Sequence, residues 1–295
     1  MLWKLFSTAF GKSQRRERKK EKHPQPQTAD SLLKAIPVQE PRVLAPDIIE
    51  LWPSMDEQDR QQLREQAQDY GWEAYFITDL EDAVPEKRLV AIEILGLIGG
   101  KQSVWPLLNA LASKNEDVCF TAANALKELQ APNLMETLID ILAIPERWPP
   151  ARVAEIILAR GSEGVMPLLE RLPIAPAASR GYIIELLGEL EDVRAVPYLI
   201  NVIEDDNPVI RAKGASALAR LNGPVTEVTD SLLRALEDEA WEVRAQAALA
   251  AGNMGLKEAA PTLETLVSED PDWRVQENAR KAIEQLSVVD ERPPS

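Results

Sequence analysis

Histidine and cysteine are nearly absent from this chain of 295 residues: one of each, His23 and Cys119. A single cysteine excludes an intrachain disulfide and any paired-thiol metal motif. A single histidine excludes metal chemistry built on two or more imidazoles of one chain. It also leaves Cys119 without an imidazole to activate it as a nucleophile, so a packing role is expected there. Aromatic residues make up only 5% of the chain against 45% apolar residues overall, so the core must be built from Leu, Ile, Val and Ala. Long apolar runs are missing too. Crossing a bilayer takes about 20 consecutive apolar residues, and no stretch provides them.

Positive charge is scarce everywhere except at the start. The net charge is −15, yet residues 1–22 hold eight Lys/Arg and two Glu, which leaves −21 on the remainder. A body so acidic repels phosphate backbones, and nucleic acid is not an expected partner. The first segment has a different character. Leu2, Trp3, Phe6 and Phe10 cluster on one helical face, and Arg15, Arg16, Arg18, Lys19 and Lys20 follow. Aromatic residues beside a basic cluster form a membrane-interface pattern, and an anionic membrane surface is the expected contact. A secretory signal would place its charges ahead of the apolar run; here most come after it. Residues 23–46, with Pro24, Pro26, Pro37, Pro41 and Pro46, read as a Pro-rich mobile linker with one helical turn near Ser31–Ile36. Residues 47–85 read as a helical N-terminal cap, with Ser54 and Glu57 at capping-box spacing and Trp72, Tyr75, Phe76 and Leu80 as an apolar stripe.

Residues 86–286 are periodic. One position is held in turn by Arg88, Cys119, Pro150, Arg180, Arg211, Arg244 and Gln276, a step near 31 residues that marks a stacked repeat. Each unit reads as helix, turn, helix. Prolines fall near the start of the second helix (Pro106, Pro167, Pro197, Pro261), and glycines past the end of the first (Gly99, Gly161, Gly255). The acid-rich turns at 204–207 and 269–272 lack the spaced ligands and glycine of a calcium loop and read as helix caps. Gly96, Gly99 and Gly100 follow no strand and read as a helix end rather than a phosphate loop. Residues 287–295 form a tail.

The runs Asp206-Asn-Pro-Val-Ile-Arg211-Ala-Lys-Gly-Ala-Ser-Ala-Leu and Glu239-Ala-Trp-Glu-Val-Arg244-Ala-Gln-Ala-Ala resemble HEAT repeats of the subtype described in phycobilisome lyases. The resemblance implies an all-α, right-handed α-solenoid of about six helical pairs with terminal caps. It also implies that the recurrent arginine caps or bridges to an acidic residue of a neighbouring unit. Cys119, Pro150 and Gln276 depart from that arginine, and the Pro145–Pro150 stretch departs from the consensus, which makes the third unit a candidate bend or a specialised surface. Enzymes of the HEAT class carry marks that can be sought. The His-Glu iron sites of deoxyhypusine hydroxylases are excluded by the histidine count. The basic groove of HEAT-like DNA glycosylases is contradicted by Glu136, Asp140, Glu170, Glu227, Asp230 and Glu264 on the second helices. The expectation is a non-enzymatic protein-binding scaffold without a cofactor, cytoplasmic and held at the inner membrane face by residues 1–22. A phycobilin-lyase-like subunit, or a chaperone acting on a cofactor-bearing protein, is the alternative. Trp241 and Trp273 share one repeat position, with Trp148 one place off, and these three are the expected partner contacts.

Overall fold

A computed structural model describes residues 26–82, 84–221 and 225–290. Among them are seventeen α-helices and no strand. The chain divides into two compact units, 1–134 and 135–295, each with its own core.

In the first unit, α1 (Ala29–Ala35) and α2 (Pro41–Leu51) occupy the stretch read as a linker. That reading is corrected: Leu32, Leu33, Ile36, Leu44, Ala45 and Ile48 are buried. The prolines mislead because Pro41 stands at the first helical position, where a missing N–H costs nothing. Thr28 closes a capping box with Ser31. The cap of α3 (Glu57–Asp69) is also not the expected one. Asp56 accepts from the Asp59 N–H at 2.8 Å, whereas the Ser54 hydroxyl donates to the Leu51 carbonyl. Gly71, at φ +71°, turns the chain into α4 (Trp72–Asp79). Arg60 and Arg64 lie 5.2 and 5.1 Å from the centre of the buried Trp52 ring. Arg42 grips the buried Asp79 through two hydrogen bonds of 2.6 and 3.2 Å. The repeats then begin with α5 (Pro85–Ile98), α6 (Val104–Leu111) and α7 (Glu116–Glu128).

The division between units falls at the start of α8 (Leu134–Ile141). The second unit continues with α9 (Pro150–Ala159) and α10 (Val165–Arg171), then α11 (Ala177–Glu189) and α12 (Val196–Val202), α13 (Pro208–Leu218) and α14 (Val225–Ala235), α15 (Trp241–Met254) and α16 (Ala260–Glu269), and closes on α17 (Trp273–Asp290). Short 3-10 turns at Lys101–Ser103, Gly161–Gly164, Val193–Ala195 and Lys257–Ala259 join first to second helices. The turn at Lys101–Ser103 is held by Glu73, whose carboxylate accepts from the N–H groups of Gly100 and Ser103 and from the Ser103 hydroxyl, at 2.8–2.9 Å. The anion at this glycine-rich helix end is therefore supplied by the chain itself.

Consecutive first helices cross at small residues. A Cβ on Gly96 would lie 2.6 Å from the Ala125 Cα, one on Gly188 2.9 Å from the Ala217 Cα, and one on Gly252 2.7 Å from the Ala282 Cα. Gly96 is thus a helix-interior crossing residue, not part of the helix end. In the repeats of Cys119 and Pro150 the corresponding positions carry the bulkier Lys127 and Leu158.

Candidate functional site

At Arg180, Arg211 and Arg244 the recurrent arginine serves the loops, not the solvent. Arg211 donates from Nε and Nη2 to the two carboxylate oxygens of Asp238, both at 2.8 Å. Its Nη1 donates backward to the carbonyls of Asp205 and Asp206. Arg244 repeats the arrangement with Asp270 ahead and the carbonyls of Asp238 and Glu239 behind. Arg180 reaches Asp205 at 2.9 Å and the Ala175 carbonyl at 3.3 Å. Each aspartate also accepts from the N–H two residues on, at Asn207, Ala240 and Asp272, so one side chain both turns its loop and receives the preceding repeat. Burial works against the charged form of Asp238 and Asp270. The arginine and backbone hydrogen bonds outweigh it and hold both carboxyls below the usual range.

Two of the three departures keep half of this arrangement. Gln276 donates to the Asp270 carbonyl at 2.7 Å, and Cys119 Sγ donates to the Leu111 carbonyl at 2.8 Å; Cys119 is buried. Both retain the backward bond and give up the forward ion pair. Pro150 begins α9 and keeps neither.

The three candidate tryptophans separate. Trp148 is 2% exposed and lies under the Arg147 guanidinium, 4.4 Å from its ring centre, which corrects its assignment as a partner contact. The apolar ring sits inside the loop that the prolines on either side constrain. Trp241 and Trp273 do come together, in a groove of about 630 Å³ that runs over the first helices of the second unit. Val209 and Lys213 contribute from α13, Trp241 and Glu242 from α15, Arg274 and Glu277 from α17. Arg274 lies 3.2 Å from the Trp241 ring centre while its guanidinium is held by both carboxylate oxygens of Asp272, at 2.7 and 2.9 Å. That arginine holds Trp241 down. Trp273 is 70% exposed. Lys213 pairs with Glu185 across the floor, and Lys281 with Glu277. The groove therefore balances its charges, although the chain beyond residues 1–22 is strongly acidic. Sequence reasoning gave the tryptophans but not Arg274, whose Asp272-x-Arg274 spacing beside Trp273 was the available signal.

No group of three or more His, Cys, Asp or Glu fit to hold a metal occurs among the described residues, and no described helix is long and apolar enough to cross a membrane. The membrane-contact candidates Leu2, Trp3, Phe6, Phe10, Arg15, Arg16, Arg18, Lys19 and Lys20 lie outside the described residues.

Stacked helical pairs bridged by a recurrent arginine define an α-solenoid repeat protein. The family model described as "HEAT repeats" matches residues 75–159 and 224–284, and that described as "PBS lyase HEAT-like repeat" matches residues 179–205. Together they span more than half of the chain, which belongs to the HEAT-repeat family. No curated protein sequence matches it. Among solved structures, the complex of CpcE and CpcF of phycocyanin lyase from Nostoc sp. PCC7120 is similar at 20% identity and a TM-score of 0.46, over 50% of this chain and 97% of that one. A designed armadillo repeat protein in complex with the peptide (KR)4 is similar at 19% identity and a TM-score of 0.38, over 72% and 99%. Human deoxyhypusine hydroxylase is similar at 16% identity and a TM-score of 0.37, over 88% and 96%.

Proposed function

We propose that this chain is a non-enzymatic protein–protein interaction scaffold whose second unit receives a protein partner in the groove of Trp241 and Trp273. The observation that carries the reading is Trp273, 70% exposed at a groove whose neighbouring Trp241 is already fixed by Arg274. Leaving an indole in water forgoes roughly 1.5–3 kcal/mol of burial, and tryptophan is the residue type most enriched where binding energy concentrates. Residues 1–22 tether the scaffold to an anionic membrane surface at the cytoplasmic face. Each lysine or arginine near such a surface contributes about 1 kcal/mol, so half of the net +6 gives roughly 3 kcal/mol.

The test is photocrosslinking in cells of origin, from a reactive side chain placed at Gln246 in the groove. Trp273→Ala should remove the crosslinked protein species while leaving the melting temperature within about 1 °C, as expected of an exposed side chain. An unchanged crosslink pattern overturns the groove. Co-sedimentation with anionic vesicles tests the tether, and equal binding with and without residues 1–22 overturns it. A second reading, a phycobilin-lyase-like subunit, draws on the match of residues 179–205 to the PBS lyase HEAT-like repeat. It requires a change in visible absorbance on mixing with free bilin, which the scaffold reading does not.

A further inference from the structure

Glutamate stands five residues after the recurrent position in three repeats: Glu93 after Arg88, Glu155 after Pro150 and Glu185 after Arg180. Glu185 is neutralised by Lys213, which stands two residues after the arginine of the next repeat. The residue in that place opposite Glu93 is Thr121, two after Cys119. Threonine brings no charge, and its hydroxyl is committed to the Asp117 carbonyl at 2.7 Å. Among the described residues Glu93 has no ion-pair partner. It lines a cavity of about 110 Å³ between α5 and α7, with Leu97, Thr121, Asn124, Ala125 and Glu128. Asn124 and Glu128 are exposed at its rim, and Leu97 and Ala125 are buried.

We infer that this cavity is a docking pocket for a lysine or arginine side chain of a protein partner, which takes the place that Lys213 fills in the second unit. The chain itself specifies the occupant, because the same repeat position elsewhere is filled by an ammonium group. The chemistry agrees at each level. Glu93 supplies an uncompensated carboxylate at half-burial, where an ion pair is less screened than at the surface. Glu128 adds a second negative charge at the entrance. The apolar Leu97 and Ala125 suit the methylene stem of a long basic side chain, which buries its carbons and keeps its charge at the polar end. Desolvation of Glu93, with no neighbouring cation, already pushes its carboxyl up to about 7, and an incoming cation would reverse that. The inference rests on the scaffold reading only in taking the cation from a protein.

The experiment is fluorescence anisotropy of a labelled (Lys-Ala)4 peptide titrated with the full-length chain and three variants. Glu93→Gln removes the carboxylate. Thr121→Lys supplies the missing cation internally, as Lys213 does. Glu264→Gln removes one exposed charge in the second unit and corrects for the general attraction of a basic peptide to an acidic protein. Glu93→Gln and Thr121→Lys should each weaken binding roughly fivefold or more, and Glu264→Gln less than about twofold. Equal losses in Glu93→Gln and Glu264→Gln overturn the inference, as does wild-type binding by a folded Thr121→Lys. Should circular dichroism find Thr121→Lys unfolded, the comparison of the two glutamine variants decides alone. The groove crosslink is scored separately with Trp273→Ala, so failure of this pocket and failure of the scaffold reading give different results.

Discussion

Arg244 and Asp270 stand 26 residues apart and meet through two parallel hydrogen bonds of 2.7 and 3.0 Å, with the aspartate side chain 2% exposed. The pair ties the loop before α17 to the helix of the preceding repeat. Removing one partner leaves a buried charge uncompensated and costs about 3 kcal/mol or more. Asp270→Asn should therefore lower the melting temperature by several degrees. The loss should be smaller than for Asp270→Ala, because asparagine can still accept from the Asp272 N–H. Combining Asp270→Ala with Arg244→Met should cost less than the two single changes added together, and strict additivity would deny the coupling. Gln276, which has no forward partner, supplies the contrast: Gln276→Ala removes only the bond to the Asp270 carbonyl.

How much of this was legible depended on whether a feature repeats. The arginine position was readable because it recurs, and the bridge to an acid of the next unit followed from the family resemblance. The acid-rich turns at 204–207 and 269–272 were read only as caps, which is half of what Asp205 and Asp270 do. What does not recur was misread. Five prolines between residues 24 and 46 suggested a linker, yet Leu32, Ile36, Leu44 and Ala45 bury there, and spacing over so short a span could not separate helix from coil. Trp148 shared a near-equivalent position with Trp241 and Trp273, but its flanking prolines turn it inward. Tertiary context decides such a case, and periodicity has no information about it. Arg274 carries no repeat signal either: the equivalent position beside Trp241 is Glu242, so the repeat spacing alone does not single out the cation that fixes Trp241.

The glycine crossings separate backbone contact from side-chain contact. Gly252 faces the Ala282 Cα, at 2.7 Å from a would-be Cβ, and neither helix backbone can yield without moving its whole repeat. Gly252→Ala should destabilise the second unit by about 1–3 kcal/mol through overpacking. Gly181, also inside a helix, faces only the flexible end of Lys213, at 3.1 Å. There the gain of up to about 1 kcal/mol in helix propensity should win, so Gly181→Ala should leave the melting temperature unchanged or raise it. Thermal unfolding of both variants under one condition checks the pair. A cost at Gly181 equal to that at Gly252 would show that the close approach of the backbones is not what matters.

The two units should respond to pH with opposite sign. Asp238 and Asp270 are held below the usual carboxylate range in the fold, so their contribution is present above about pH 4 and is lost as the pH falls through the lowered values. Glu93 is raised from 4.5 to about 7 by desolvation. Its protonated form belongs to the folded state, so its contribution is complete below about pH 4.5 and disappears as the pH rises through 7. The upper bound on that contribution is on the order of 3 kcal/mol, since each unit of displacement is worth 1.36 kcal/mol. Hydrogen exchange resolved by peptide provides the readout. Amides of α5 and α7 should be better protected at pH 5 than at pH 8, and Glu93→Gln should flatten that difference by holding a neutral side chain at both values. Amides of α15 and α17 should hold their protection from pH 8 to pH 5 and lose it only in stronger acid, earlier in Arg244→Met than in the unaltered chain. Protection of α5 that is indifferent to pH between 5 and 8 would mean that Glu93 is hydrated in solution, and the cavity beside it open to water.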